Sequence, residues 1–198
     1  MVNFNKKISI VIDKRLKDSG NKEFAKRRNR LIDKGVISYG VKVSEIRRIV
    51  KNYFKQFQET EENWLKVVRE LMSTKVLDDQ MAGVFILGSL IKDGEKLNIS
   101  EIKKLITRHI NNWAICDTIS SEVIVELLKN SPKEIETLDT WAKSKNIWLR
   151  RAVLVTTVKL KNKTENWQKI ASKILSFFSR EKEPIIKKAV YWLEREID

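Results

Sequence analysis

Apolar residues recur at intervals of three and four along almost the whole chain, and this spacing is what most constrains the fold. Side chains at that spacing share one face of an α-helix, so the pattern predicts a succession of amphipathic helices. Only six Gly and two Pro occur among 198 residues, which leaves few positions for the turns that a β-sandwich or barrel needs. We therefore predict an all-α chain of about eleven helices joined by short loops.

Polar and proline residues mark where several of these helices begin. Three polar residues precede helical patterns that begin with Glu: Ser44, Thr60 and Ser100. Pro132 and Pro184 stand where a first helical residue is expected, because a missing N–H costs nothing at that position. The segment 80–91 is apolar on nearly all sides, which predicts a central buried helix.

Short internal similarities indicate how the helices are organised. The segment 148–153 resembles the segment 185–190, displaced by 37 residues. A period of two helices is typical of an α-solenoid of the HEAT or armadillo kind, which stacks helix pairs. We therefore predict a single HEAT-like-repeat domain over residues 1–198.

Equivalent positions of such repeats line up on one surface, which predicts a concave face. Asp117, Arg151 and Lys188 occupy roughly equivalent positions and are expected to lie on that face. Trp113 precedes Asp117 by four residues and Trp192 follows Lys188 by four, so each tryptophan shares a helix face with its neighbour.

The charge balance indicates a polyanionic partner. Lys and Arg number 40 against 26 Asp and Glu, a formal charge of +14. An excess of this size destabilises the compact state unless DNA, RNA or an anionic membrane neutralises it. Basic residues also recur at four-residue spacing and form two stripes on predicted helices. These are Lys22, Lys26, Arg30 and Lys34, then Arg47, Lys51 and Lys55. Either stripe alone is also compatible with a solvated face, but together with the net charge they favour nucleic acid.

The residue inventory excludes several kinds of site. A single His109 and a single Cys116 leave no catalytic triad and no metal-ligand cluster. No glycine-rich phosphate loop occurs, and we expect no cofactor. The longest apolar stretch, 83–91, is too short to span a bilayer, and no secretion signal is visible. We therefore expect a cytoplasmic monomer without membrane contact, associated with the nucleoid through DNA.

Four segments, in order, resemble DNA alkylation repair enzymes of the AlkD type. These are 39–48, 113–117, 146–152 and 187–196, and they extend over most of the chain. The resemblance implies a HEAT-like-repeat DNA glycosylase. Such an enzyme cuts the N-glycosidic bond of cationic 3-methyl- and 7-methylpurines in double-stranded DNA, without flipping the base into a tight pocket.

The resemblance also implies roles for individual residues. Asp117 matches the catalytic carboxylate, Arg151 its partner arginine, and Trp113 and Trp192 the aromatic residues of the cleft. Basic residues of the matched segments are expected to contact DNA: Arg150, Lys187 and Lys188. The sequence departs from the family pattern at Pro184 and Ile185, where aromatic residues are usual, and in the second helix, which offers only Phe24.

A sparse site suits this chemistry, although other interpretations stay open. A purine that is already cationic leaves without a general acid, so Asp117 would stabilise the developing sugar cation and Arg151 would hold the flanking phosphate. Without the resemblance to the family, the sequence around Asp117 favours an N-cap before Thr118 over a catalytic carboxylate. The alternatives for the whole chain are a non-enzymatic DNA-binding relative that recognises damaged or branched DNA, and a protein-binding helical scaffold.

Overall fold

The computed structural model describes residues 7–32, 35–57 and 63–197. Over these residues the chain is helical, and the only β-type pairing is one bridge between Ile37 and Val76. The chain divides into two compact units, Met1–Asp93 and Gly94–Asp198. The predicted all-α fold of packed helix pairs is confirmed. The single domain over residues 1–198 and its concave face stay predictions.

The first unit is built around one buried helix. Its helices are α1 (Ile8–Asp18), α2 (Lys22–Ile32), α3 (Val43–Gln56), α4 (Trp64–Ser73) and α5 (Leu77–Lys92). Every residue of α5 except Ser89 and Lys92 is buried, because α1, α3 and α4 all pack against it. The central buried helix predicted at 80–91 is therefore confirmed.

The second unit is arranged around α10. Its elements are α6 (Ile99–His109), α7 (Trp113–Ile119), a π-helical turn (Ser120–Ile124), α8 (Val125–Asn130), a 3-10 turn (Pro132–Glu136), α9 (Thr137–Ala142), α10 (Ile147–Lys159), α11 (Trp167–Ser176) and α12 (Pro184–Ile197). Residues 151–158 of α10 are all buried, because α7, α9, α11 and α12 pack on different sides of this helix. If adjoining segments are counted as one, the described residues form eleven helices, as predicted.

The helix boundaries confirm the two helix starts predicted from proline and correct those predicted from polar residues. Pro132 and Pro184 are first residues of their helical segments. However, α6 begins at Ile99, because Asn98 rather than Ser100 caps it and the amide of Ser100 donates to the Asn98 side chain. Similarly, α3 begins at Val43, before the predicted Ser44. Thr60 lies outside the described residues.

A buried ion pair fixes the first unit internally. Asp78 in the first turn of α5 accepts hydrogen bonds from Arg28 Nη1 at 2.8 Å and Ser38 Oγ at 2.7 Å. It also accepts from the backbone amides of Tyr39 at 2.7 Å and Val41 at 3.0 Å. This carboxylate therefore joins α2, the loop after it and α5. Removal of one partner of such a pair costs about 3–5 kcal/mol.

Asp79, next to this pair, predicts a pH-dependent stability. Burial raises the pKa of Asp79 to about 7, and the nearby charges of Asp13 and Asp78 add to the rise. The folded state therefore holds this proton up to about pH 7, whereas the unfolded chain releases it near pH 4. The contribution of Asp79 to the free energy of unfolding should consequently fall as the pH rises from 4 to 7.

Replacing Asp79 with Asn should remove that loss. Between pH 5 and pH 8, wild type should lose about 2–3 kcal/mol of unfolding free energy through the ionisation of Asp79, whereas Asp79→Asn should not. The stability of the variant relative to wild type should therefore rise by this amount over the same pH range. Urea unfolding of both proteins at the two pH values measures this gain. A stability difference that is the same at both pH values would contradict the buried, protonated carboxyl.

Candidate active site

Asp117 lies inside a helix rather than at its start. It is the fifth residue of α7, which continues to Ile119. The N-cap is Asn112, whose side chain accepts a hydrogen bond from the amide of Ile115 at 3.0 Å. The interpretation of Asp117 as an N-cap before Thr118 is therefore wrong, because Asn112 already caps this helix one turn earlier.

A π-helical turn follows directly and holds the backbone of Asp117. Ser121 Oγ donates to the carbonyl oxygen of Asp117 at 2.9 Å, and Ser120 Oγ donates to that of Cys116 at 2.7 Å. Such turns are frequent at functional sites. The two hydroxyl groups add to the hydrogen bonds that the backbone amide of Ser120 donates to the same carbonyl oxygens, and together these bonds hold the segment that carries Asp117.

Arg151 binds Asp117 with two parallel hydrogen bonds. Its Nε donates to Asp117 Oδ1 at 2.7 Å, and its Nη2 donates to Asp117 Oδ2 at 2.8 Å. The third guanidinium nitrogen, Nη1, donates to the carbonyl oxygen of Ile185 at 2.6 Å. The Arg151 side chain is 9% exposed and that of Asp117 is 22% exposed. One guanidinium therefore joins α7, α10 and α12, and one edge of the carboxylate remains open.

The surroundings of Asp117 have opposing effects on its pKa. Burial raises the pKa of Asp117 above its ordinary value. The hydrogen bonds and charge of Arg151, together with the charge of Lys159, oppose that rise in pKa. The neighbouring Cys116 is fully buried, which raises the pKa of its thiol, and its Sγ contacts the carbonyl oxygen of Trp148 at 3.3 Å.

The two tryptophans predicted for the site are both half-buried. Trp113 is the first residue of α7, one turn before Asp117 on the same side of the helix. Trp192 lies in α12, where Lys159 Nζ is 4.8 Å from the centroid of its ring. The Trp192 side chain also hydrogen-bonds to Glu196.

Ile185 stands where aromatic residues are usual in the family pattern. Its contribution to the site is its backbone carbonyl, which accepts a hydrogen bond from Arg151 and requires no particular side chain.

The predicted DNA-binding residues have different environments. Those exposed on α2 and α3 of the first unit are Lys22, Lys26, Arg30, Arg47, Lys51 and Lys55, whereas Lys34 lies outside the described residues. Arg47 stacks on Phe85, with 3.9 Å from its Cζ to the ring centroid. In the second unit Lys187 and Lys188 are exposed on α12. Arg150 is partly buried and pairs with Glu181 at 3.2 Å.

The roles of two basic residues could not be recognised from the sequence. Arg28 belongs to the charge-rich α2 but is buried beside Asp78, and its Cζ is 4.7 Å from the centroid of the Phe24 ring. Phe24 also lines a cleft of about 440 Å³ in the first unit, together with Arg27 and Lys42. Lys159, which acts on Asp117, lies in none of the motifs. Its only sequence signal is its position eight residues after Arg151 on the same helix.

The comparison with known families settles the family. The model of the DNA alkylation repair enzymes matches residues 12–197, which is nearly the entire chain. The chain belongs to the DNA alkylation repair enzyme family. This membership gives the protein a role in DNA repair and an interaction with DNA, and it confirms the family suggested by the motifs. No curated protein matches the sequence.

Two further observations concern the part of this DNA alkylation repair enzyme that the structure describes. In residues 7–32, 35–57 and 63–197, no group of three or more His, Cys, Asp or Glu side chains is placed to hold a metal ion. None of the helices in these ranges is long and apolar enough to cross a membrane.

Proposed function

We propose that this DNA alkylation repair enzyme is a DNA glycosylase that removes cationic 3-methyl- and 7-methylpurines from double-stranded DNA. The observation that carries the proposal is the carboxylate of Asp117, which Arg151 holds through both oxygens while 22% of the side chain stays exposed. A carboxylate held in a fixed orientation before the reaction stabilises positive charge without reorganisation. Such charge develops on a deoxyribose as its base departs.

The proposed reaction is a hydrolysis. The C1′–N bond breaks and its electron pair passes to the purine, which leaves as a neutral base because it was cationic. Water adds to C1′ and gives up a proton to Asp117 or to solvent, leaving an abasic sugar. A carboxylate about 4 Å from the sugar cation contributes roughly 4 kcal/mol at an effective dielectric constant near 20.

Arg151 acts in this proposal mainly by positioning Asp117. Its planar guanidinium binds both carboxylate oxygens, a geometry that lysine cannot provide. The half-buried Trp113 and Trp192 present aromatic surface to the sugar and the damaged nucleotide. Because part of Asp117 is exposed, the proposed attack on C1′ does not require the base to be flipped into a pocket.

Binding to the duplex is proposed to depend on phosphate contacts. The formal charge of +14 and the exposed lysines of α2, α3 and α12 support this part of the proposal. Phosphate contacts carry no sequence information, so binding should be independent of sequence and sensitive to salt. We propose that the protein acts on DNA as a monomer.

The proposed mechanism predicts selectivity for lesions that are already charged. Duplexes with a single 7-methylguanine should release free base, whereas matched duplexes with uracil or hypoxanthine should stay intact, because a neutral base needs protonation to leave. Chromatography of released bases under single-turnover conditions measures this. Efficient excision of a neutral base would contradict the mechanism. Tight binding without release of either base would indicate the alternative of a non-enzymatic DNA-binding relative.

A further inference from the structure

The guanidinium of Arg151 is fully engaged with protein atoms on three sides. Nε and Nη2 donate to Asp117, and Nη1 donates to the carbonyl oxygen of Ile185. With 9% of its side chain exposed, Arg151 would have to leave the carboxylate to bind a phosphate. That movement would leave a partly buried carboxylate without its partner, which is costly. A different cation near Asp117 is better suited to bind the DNA backbone.

Lys159 has the position and the freedom for this task. It is the last residue of α10, eight residues after Arg151, and its charge acts on Asp117. Within the described residues it forms no ion pair with a carboxylate. By contrast Lys161, two residues later, is paired with Glu196 at 3.1 Å. Within residues 7–32, 35–57 and 63–197, Lys159 is therefore a half-buried cation near Asp117 that forms an ion pair with no acidic side chain.

The Trp192 ring holds Lys159 in place. The Nζ atom of Lys159 lies 4.8 Å from the ring centroid, a distance at which the aromatic face attracts a cation. Glu196, itself paired with Lys161, hydrogen-bonds to the Trp192 side chain. Trp192 is therefore fixed both at its face and by Glu196, and Lys159 is ordered before DNA binds. A lysine ordered in this way loses less side-chain freedom on binding.

We propose that Lys159, rather than Arg151, binds the backbone phosphate that flanks the damaged nucleotide. This assignment rests on the proposed glycosylase function, because that function brings the sugar to Asp117. A phosphate at Lys159 balances a positive charge that would otherwise repel the developing sugar cation. It also leaves the Asp117–Arg151 pair intact throughout the reaction. Trp192 then serves as the platform for Lys159 in addition to presenting aromatic surface to the nucleotide.

The proposal predicts a specific change in salt-dependent binding. For Lys159→Gln the slope of log affinity against log salt, measured on a duplex with one 7-methylguanine, should be shallower than in wild type by about 0.9. Affinity should fall by about tenfold at low salt, whereas the single-turnover rate at saturating protein should stay within about threefold. Lys159→Arg should keep the wild-type slope. The matched control is Lys169→Gln, an exposed lysine of α11, which should also keep it.

A duplex with a neutral methylphosphonate next to the lesion locates the contact. Wild type should bind it about as weakly as Lys159→Gln binds the natural duplex, and Lys159→Gln should lose nothing more on the modified duplex. An unchanged slope in Lys159→Gln, or an equal methylphosphonate effect in both proteins, would overturn the proposal. An unchanged slope with a reduced rate would also overturn it, since Lys159 would then only support Trp192.

These binding results do not depend on excision. If wild type releases no base, but Lys159→Gln shows a shallower salt dependence and no methylphosphonate effect, the phosphate contact is supported and the glycosylase function is contradicted. If wild type releases base and Lys159→Gln binds normally, the glycosylase function stands and the role of Lys159 fails.

Discussion

Asp117→Asn is expected to lower base excision by about two to three orders of magnitude, with duplex affinity unchanged or slightly higher. The amide is uncharged and cannot supply the roughly 4 kcal/mol by which a carboxylate stabilises the sugar cation, a free energy that corresponds to about a thousandfold in rate. Affinity should not fall, because removing a negative charge does not weaken binding to phosphates. Single-turnover base release and salt-dependent duplex binding measure the two effects separately.

The structure requires a stability control for this variant. Asn cannot accept hydrogen bonds from both Nε and Nη2 of Arg151, so Asp117→Asn should also lose about 1–3 kcal/mol of unfolding free energy. Glu181→Gln is the matched control, because it disrupts the partly buried pair with Arg150 in the same unit. It should cost similar stability and leave excision unchanged. Equal losses of excision in both variants would indicate a general structural effect instead of catalysis by Asp117.

Arg151→Met is expected to reduce both stability and excision. It leaves the Asp117 carboxylate partly buried without its partner, so the free energy of unfolding should fall by about 3 kcal/mol at neutral pH. Because Arg151 lowers the pKa of Asp117, its removal should raise that pKa further. The acidic limb of the excision rate should therefore move to higher pH, since only the ionised form is active. At neutral pH we expect a loss of excision of about 10- to 100-fold.

Two additional variants separate positioning from charge at Arg151. Arg151→Lys should restore little excision, because one ammonium cannot bind both oxygens of Asp117 and also reach the Ile185 carbonyl. The double variant Asp117→Asn/Arg151→Met should be more stable than Arg151→Met, because no buried charge remains, and no less active than Asp117→Asn. Strictly additive losses of activity would contradict the view that the two residues act as one unit.

Much of the fold could be predicted from the sequence because hydrophobic periodicity is a local signal. The spacing of apolar residues correctly indicated the helices and the buried α5, and the prolines marked two of their starts. The exact starts of α3 and α6 were missed because several polar residues stand close together, and only the folded backbone selects among them. For the same reason the sequence could not show that Asn112, and not Asp117, supplies a helix cap.

Residues of the candidate site could be predicted where a motif and the repeat spacing coincide. They could not be predicted where the side chain that determines a residue's environment lies far away in the sequence. Asp117 and Arg151 are 34 residues apart, about one repeat, and the structure places them in contact. Arg28 lies in the same basic helix as the exposed Lys26 and Arg30, yet it is buried because its side chain pairs with Asp78, 50 residues later. Lys159 lies in no motif, and its proximity to Asp117 and Trp192 follows only from the packing of α7, α10 and α12.

The most direct test of the proposed function is single-turnover release of free 7-methylguanine from one defined duplex by three proteins side by side. Wild type and Glu181→Gln should release the base at the same rate and leave an abasic site in equal amount. Asp117→Asn, although folded at the assay temperature and bound to the duplex, should release it about 100 to 1,000 times more slowly. Equal rates in all three proteins, or no release by wild type at full occupancy of the duplex, would contradict the assignment of Asp117 as the catalytic carboxylate of a DNA glycosylase.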